Sequence, residues 1–564
     1  MKPQNRSQFP FLKAAVSVAL LVPAQALAQT IPSTAEPGVI TRGIGDEPLG
    51  RPQSDTGLVL GAEEAAGQNL SAEKVFTLNG VVLDGSTVYA QPDVDGFAKG
   101  YVGEKVSFAD LNAISQAMTR DYREKGYVFS RVILPPQKID GGVVHYQAIE
   151  GRVTDVQIEG DFKDQTHLIQ RIADQIKSDG PSNTADIERY LLLIDDLPGI
   201  TARSLMRPSD VPGGGTLIIT IVQDRVEGSV GIDNRGSTYL GRGRATAVAA
   251  FNSLFGIHDR TTLRGIVTEN TNELRFGDIT HEEQVGTEGM RVKARYAITA
   301  TEPGNELKAL DVNGRTHLFD LQALYPVIRS RQYNFNLIGG FTAINSTSDI
   351  LGSQVAEDRL RYAHAGGRFD FTDALSGVNQ FEISMAKGLD IFNPTEDAAT
   401  GRSRSNGEHD FVRYNLEAER LQDLPGDFSF HVAFSGQYSP DVLLASEEFA
   451  VGGDAYGRAY DSGEITGDSG AAASFELRYG GHVDNRFLNA YELYSFYDLG
   501  TVWNHNPSVS ENANDSLASV GLGVRFNAIY ETSGYLELGK PLTHEVGADG
   551  NKDARVFFSL SKRF

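Results

Sequence analysis

From Glu227 to the C-terminal Phe564 the chain runs as roughly ten-residue stretches in which apolar residues alternate with small or charged ones, parted by polar or glycine-rich turns. Phe428, Phe430, Val432 and Phe434 alternate with Ser429, His431, Ala433 and Ser435. Val520, Leu522, Val524 and Phe526 alternate with Ser519, Gly521, Gly523 and Arg525. Successive side chains on a strand point to opposite faces, so each stretch presents one greasy face and one wet face. Backbone groups in lipid must all be paired, and strands that face lipid must therefore close on themselves. No later segment offers about 18 consecutive apolar residues, which excludes a transmembrane helix. The fold class expected is membrane all-β: a transmembrane β-barrel of about sixteen strands over residues 226–564, wide enough for an aqueous lumen. Its last strand, residues 555–564, sets Val556, Phe558, Leu560 and Phe564 on one face.

Residues 1–28 have the build of a secretory signal peptide. Lys2, Arg6 and Lys13 supply positive charge, residues 14–22 a short apolar core, and Ala26-Leu27-Ala28 a small-x-small cleavage site. An exported chain with no cysteine takes its stability from something other than disulfides, which suits a closed sheet. Its formal charge of −23, from 51 Lys and Arg against 74 Asp and Glu, argues against a nucleic-acid partner, which would need a basic face. Residues 29–72 are rich in Pro, Gly, Ser and acidic residues without a sustained period. They read as a flexible leader or a plug, with at most a short helix near residues 58–65.

Two α+β modules of about 75 residues follow, an internal repeat of architecture more than of letters. In residues 73–151, Phe76 and Leu78 open a strand, and Ser107 caps a helix whose stripe is Leu111, Ile114, Met118 and Tyr122, ended by Gly126. Strands are expected at residues 127–134 and 143–149. In residues 152–225, Val156 and Ile158 mark a strand. Leu168, Ile172 and Ile176 mark a helix, and Ile187, Leu191 and Ile194 mark a second one capped at Asn183-Thr184. A final strand carries Leu217-Ile218-Ile219-Thr220-Ile221-Val222.

The segments Gly126-Tyr127-Val128, Leu134-Pro135-Pro136-Gln137 and Ile149-Glu150-Gly151-Arg152-Val153 resemble the polypeptide-transport-associated (POTRA) domain of two-partner-secretion outer-membrane translocators, the haemolysin secretion/activation proteins. The run Leu191-Leu192-Leu193-Ile194-Asp195-Asp196-Leu197-Pro198-Gly199 is similar to a turn in that family's second POTRA domain. The resemblance implies an outer-membrane pore with its POTRA domains in the periplasm of a Gram-negative cell. Such a pore exports a large, unfolded, β-rich partner exoprotein without nucleotide hydrolysis. The partner would be caught by β-augmentation on exposed strand edges, for example residues 143–149 or 217–222. The remaining expectations are contact with outer-membrane lipids, a monomeric pore, no cofactor and no enzymatic activity. Two other readings fit part of the pattern: a barrel-assembly or insertion factor of the same superfamily, and a passive porin or adhesin anchor.

The stretch 448–472 shows no strand pattern until Ala473, and a loop of that length is uncommon unless it is disordered or functional. It carries Tyr456-Gly457-Arg458-Ala459-Tyr460-Asp461 and, further on, Gly467-Asp468 with Gly470. Arg458 and Tyr460 stand where the family's Val-Arg-Gly-Tyr loop signature has its arginine and tyrosine. Gly457 and Ala459 replace the Val and Gly, and Ala459 requires a negative φ there. Asp498, in Phe496-x-Asp498-x-Gly500, stands where the family places the acidic partner. Parity agrees: if Leu493, Ser495 and Tyr497 face lipid, then Glu492, Tyr494, Phe496 and Asp498 face the lumen. The expectation is an in-folded loop with Arg458 docked on Asp498, a pair worth about 1 kcal/mol in a wet lumen and more if shielded.

Other motifs carry less. Gly467-Asp468-Ser469-Gly470 mimics a serine-protease nucleophile without the upstream context. The histidines show no metal spacing, and no phosphate-binding loop occurs. Asp93-Val94-Asp95-Gly96 and Asp549-Gly550-Asn551 look like pieces of calcium loops, lack the ligand ladder and are read as turns.

Overall fold

The computed structural model describes residues 31–44, 71–397, 399–483, 486–508 and 511–564. The signal sequence read at residues 1–28 and the helix considered near residues 58–65 lie outside the described residues. After a 3₁₀ turn at Ser33–Ala35, the first α-helix is α1 (Pro37–Gly43).

The first module contains β1 (Lys74–Thr77), β2 (Gly80–Asp84), α2 (Gln91–Ala98), β3 (Lys105–Ser107), α3 (Phe108–Glu124), β4 (Arg131–Ile133) and β5 (Val143–Ile149). Ser107 caps α3 reciprocally: its hydroxyl accepts from Asp110 N at 3.1 Å and Asp110 Oδ2 accepts from Ser107 N at 2.8 Å. The stripe Leu111, Ile114, Met118 and Tyr122 is buried against Val81, Val132, Val144 and Tyr146 of the sheet. The turn read at Asp93-Val94-Asp95-Gly96 is instead the middle of α2. Gln91-Pro92 start that helix, Asp93 accepts from Ala90 N at 3.1 Å, and buried Val94 and Ala98 pay for the glycine by packing.

The second module contains β6 (Arg152–Asp161), α4 (Leu168–Asp174), α5 (Thr184–Asp195), β7 (Ile200–Pro208) and β8 (Gly214–Gln223). Asn183 caps α5, accepting from Ala185 N at 3.0 Å. Apart from the extra two-stranded β1–β3 sheet of the first, both modules run strand, two helices, two strands, and their main sheets have equivalent orders, β2-β5-β4 and β6-β8-β7. That order corrects one expectation. β5 and β8 are the central strands: β8 is paired on both sides over residues 217–222, which therefore offer no edge, whereas β4 covers only residues 147–149 of β5 and the Gln137 side chain bonds His145 further along that side. The apolar run Leu217-Ile218-Ile219 of β8 reflects that central, buried position. The edges belong to β2, β4, β6 and β7.

The sequence motifs sit at the joints. Gly126, at φ +90°, accepts from Thr184 N at 2.9 Å, and a Cβ there would lie 2.6 Å from Asn183 Oδ1. Glu150 ties the end of β5 to the turn after β2. It accepts from Thr87 N at 2.8 Å, Thr87 Oγ1 at 2.6 Å, Val88 N at 3.3 Å and Tyr122 Oη at 2.8 Å. Partial burial raises its pKa, but these donors outweigh burial and hold it below the ordinary glutamate value. A depressed pKa stabilises the fold above the unfolded-state value, and that stability is lost as pH falls through the folded one. Melting temperature should therefore drop on acidification below about pH 4. Glu150→Gln should cost about 1 kcal/mol at neutral pH, after solvent screening, and flatten that acid limb. Thermal melts of both proteins across pH check this, and parallel curves would refute it.

The remaining strands are β9 (Val226–Asp233), β10 (Arg244–Asn252), β11 (Arg260–Thr268), β12 (Leu274–Val285), β13 (Met290–Thr301), β14 (Asn313–Arg329), β15 (Tyr333–Ile350), β16 (Ser353–Thr372), β17 (Val378–Gly388), β18 (Val412–Leu424), β19 (Phe428–Tyr438), β20 (Phe449–Val451), β21 (Ile465–Gly467), β22 (Ser469–His482), β23 (Leu488–Trp503), β24 (Asn514–Ala528), β25 (Thr532–Pro541) and β26 (Arg555–Arg563). All except the β20–β21 pair close into one sixteen-stranded antiparallel barrel, with β26 returning to β9. Connections are short on the near face, where the second module docks, and several are long on the far face. Docking uses Asp196, which takes Arg329 through two 2.7 Å bonds, and Asp164, 3.2 Å from buried His258. Parity holds on β23: Leu493 and Tyr497 are 49 % and 42 % exposed on the outer wall, whereas Asp498 is fully buried inside.

Part of the leader lies inside the barrel. α1 stands in the lumen, touching β13, β14 and the loop before β20. Thr41 Oγ1 lies 2.6 Å from Thr299 Oγ1, Arg42 Nη2 donates to Gln437 Oε1 at 2.9 Å, and Ser33 Oγ donates to Gly463 O at 2.6 Å. The helix escapes a search for periodicity because it is short and most of its residues are buried. Apolar Val39 and polar Thr41 are both buried, so no apolar stripe is needed.

Candidate functional site

The loop between β19 and β22 folds back into the barrel. Contrary to the expectation of no strand before Ala473, β20 and β21 pair as a hairpin, and β22 starts at Ser469. Phe449, Val451, Tyr460 and Ile465 form a small apolar cluster with Ala472, Val502 and Leu517 of the wall. This loop therefore has a core of its own, which fixes its tip.

At that tip Arg458 is 6 % exposed. Its Nε and Nη2 donate to Asp498 Oδ2 at 3.0 Å and Oδ1 at 2.9 Å, and its backbone N also donates to Oδ2 at 2.9 Å. Nη2 further reaches Ser474 Oγ at 3.0 Å, Nη1 donates to Glu476, and the guanidinium lies 3.7 Å over the Phe496 ring. A planar fork satisfied by two carboxylates and stacked on an aromatic fixes position and orientation together.

Gly457 stands at φ +80°, where a Cβ would lie 2.7 Å from Leu517 Cδ1. Ala459 is fully buried outside the left-handed region, and a Cβ on the facing Gly539 would come within 3.1 Å of its own. A methyl fits where nothing larger would. Tyr460 Oη donates to Ala518 O at 3.0 Å.

Gly467 and Asp468 are not part of this cluster. Asp468 lies at the loop stem, fully buried, accepting from Leu443 N at 2.7 Å, His505 N at 2.7 Å and Arg404 Nη1 at 2.5 Å. It ties three far-face loops together. Ser469 of the protease-like motif exchanges bonds with Ser439 at the sheet end. Among the described residues no group of three or more His, Asp or Glu is placed to hold a metal ion.

Sequence reasoning missed Ser474, Glu476, Arg525, Arg235 and Arg555. Glu476 bonds Arg458, Arg478 and Arg525, with Arg525 stacked 3.8 Å over Tyr494. Glu476 was within reach of parity, since Phe475, Leu477 and Tyr479 point outward and their alternates must point in. The tip is also drier and better connected than a pair in a wet lumen. Removing one partner of a buried charge network costs about 3–5 kcal/mol rather than about 1.

The fold is thus a sixteen-stranded barrel with α+β modules on one face and, inside it, a helix and an arginine-tipped loop. The sequence matches the haemolysin secretion/activation protein family ShlB/FhaC/HecB over residues 214–526, and a ShlB-type POTRA domain over residues 76–151. The chain belongs to that family. It is 24% identical over 476 residues to the heme/hemopexin transporter protein HuxB of Haemophilus influenzae, covering 83% of each chain. It is 23% identical over 493 residues to the outer membrane transporter CdiB of Escherichia coli, covering 83% of this chain and 79% of that one. The solved structure of CdiB from Escherichia coli superposes with a TM-score of 0.72 at 19% identity, covering 100% of both chains.

Proposed function

We propose that this two-partner-secretion transporter exports an unfolded, β-rich exoprotein of the haemolysin or adhesin type through its lumen, with displacement of loop 448–472 as the gating step. The observation that carries this reading is Arg458: a loop tip held inside the barrel by side chains alone, with no backbone ladder to the wall, can leave and return. Residues 73–151 and 152–225 are read as two periplasmic POTRA domains, the near face as periplasmic and the far face as extracellular. Cargo strands would add to an edge such as β6 or β7, each with one side unpaired within its sheet. Nothing in the sequence resembles a nucleotide site, and surface folding of the cargo would supply direction. The pore is read as a lipid-embedded monomer with no nucleic-acid partner, cofactor or catalysis.

The test is removal of residues 73–225 with the signal sequence and barrel kept. Export of the partner exoprotein should cease while the barrel still inserts and conducts in planar bilayers. Undiminished export would overturn the proposal.

A further inference from the structure

An arginine on the lipid-facing side of a barrel is costly at the bilayer midplane and tolerated near an interface, where headgroups can answer its charge. Alternation on β12, β14 and β16 turns Arg275, Arg315, Arg359 and Arg361 outward, all in the far-face halves of their strands. Strand register gathers them. Arg275 and Arg315 flank Ala300 of β13, two strand spacings or about 10 Å apart. Two residues nearer the midplane, His317 of β14 and Arg359 flank Asn345 of β15, and Arg361 Nη2 donates to Asn345 Oδ1 at 2.8 Å.

These charges are only partly answered within the chain. Glu302 lies 3.3 Å from Arg275, and Glu357 lies 3.1 Å from Arg359. Among the described residues Arg315 has no carboxylate partner, and Arg361 bonds only neutral oxygens: Asn345 Oδ1, Ile344 O at 2.9 Å and Leu360 O at 2.7 Å. Toward the midplane the same wall is apolar, with Tyr296, Ile298, Phe319 and Leu321 exposed. Between β16 and loop 389–411, beside Arg359, opens a cleft of about 500 Å³ whose lining includes Gln354, Glu357, Asn393, Thr395 and Thr400. Hydroxyls, amides and a carboxylate next to a guanidinium are the donors and acceptors that a sugar uses. Across the barrel the far-face rim differs: β18, β19 and β23 expose Tyr414, Tyr438 and Trp503 near their far-face ends.

We propose that the outer wall of β12–β16 is a docking surface for a phosphorylated glycolipid of the outer leaflet. Its phosphates bridge Arg275, Arg315 and Arg359, its sugar enters the cleft beside loop 389–411, and its acyl chains lie on the apolar wall below. A guanidinium meets a phosphate in a flat two-bond fork, and two of them about 10 Å apart suit a headgroup with two phosphates better than one with a single charge. The surface rests on the reading of the far face as extracellular. Binding to the purified barrel needs neither export nor a partner exoprotein, so a failure of either reading is told from a failure of the other.

The test titrates the delipidated full-length protein, in detergent micelles, with diphosphoryl lipid A and counts complexes by native mass spectrometry. One lipid A should bind per barrel, and neither excess phosphatidylglycerol nor inorganic phosphate should displace it. Combining Arg275→Gln with Arg315→Gln should weaken binding about tenfold or more. Both side chains are exposed, so heat-modified gel migration should stay that of the parent. Lys540→Gln, which removes an exposed cation of β25 away from the cluster, should bind as the parent does. Parental binding by the double variant would overturn the proposal, as would an equal loss in Lys540→Gln. Displacement by phosphatidylglycerol or by inorganic phosphate would overturn it too, by revealing a general anion surface.

Discussion

Arg458→Ala should insert as a folded barrel yet secrete its partner exoprotein at least about tenfold less than the parent. The variant deletes the group that joins Asp498, Ser474 and Glu476 to the loop. Glu476 keeps Arg525 and Arg478, and Asp498 keeps Ser474 Oγ at 2.8 Å, so the wall stays intact. What is lost is the loop's register on the wall, because only the guanidinium spans both carboxylates. Arg458→Lys should recover little, since a single ammonium cannot make the bidentate bond or lie as a flat cation on Phe496. Exoprotein in culture supernatant, measured against barrel abundance in membranes, decides the matter. Secretion at parental levels from both variants would remove the latch.

Deleting residues 31–44 should raise single-channel conductance several-fold without preventing barrel insertion. α1 and the turn before it fill lumen otherwise open to water, and they are held by a handful of polar bonds to Thr299, Gln437 and Gly463 and to Glu448 O at 3.0 Å. Packing adds to this hold: a Cβ on Gly38 would meet Ser446 Cβ at 2.8 Å, and one on Gly314 would meet Pro37 Cγ at 2.8 Å. Arg42→Ala, which cuts two of those bonds on loop and wall, should show brief openings rather than a constantly open pore. Planar-bilayer recordings of the three proteins give the answer. Indistinguishable conductances would mean that the helix does not obstruct the lumen.

Period-two alternation was enough to read the barrel and to place Asp498 on the inner wall, because a strand's faces are set by local geometry. The Ser107 and Asn183 caps were legible for the same reason: a cap is a contact within three residues. The POTRA strand edges were not. β5 and β8 are rich in apolar residues whether they lie at an edge or in the centre, and only the order of pairing tells which. α2 was hidden by a glycine and two aspartates that locally favour a turn, and α1 by a lumen that buries polar and apolar residues alike.

By itself the sequence determined that about sixteen strands cross the membrane and which side chains face lipid, while the pairing of Arg458 with Asp498 came from the family resemblance. Tertiary structure decided the rest: that Glu476 shares the arginine, that Asp468 serves the loop stem, that Arg235 and Arg555 meet at the loop tip, and that a leader helix stands against the inner wall. The reason is sequence distance. Arg235 and Arg555 stand at opposite ends of the barrel sequence, and no periodicity or local propensity encodes the closure of a sheet that brings its first and last strands side by side.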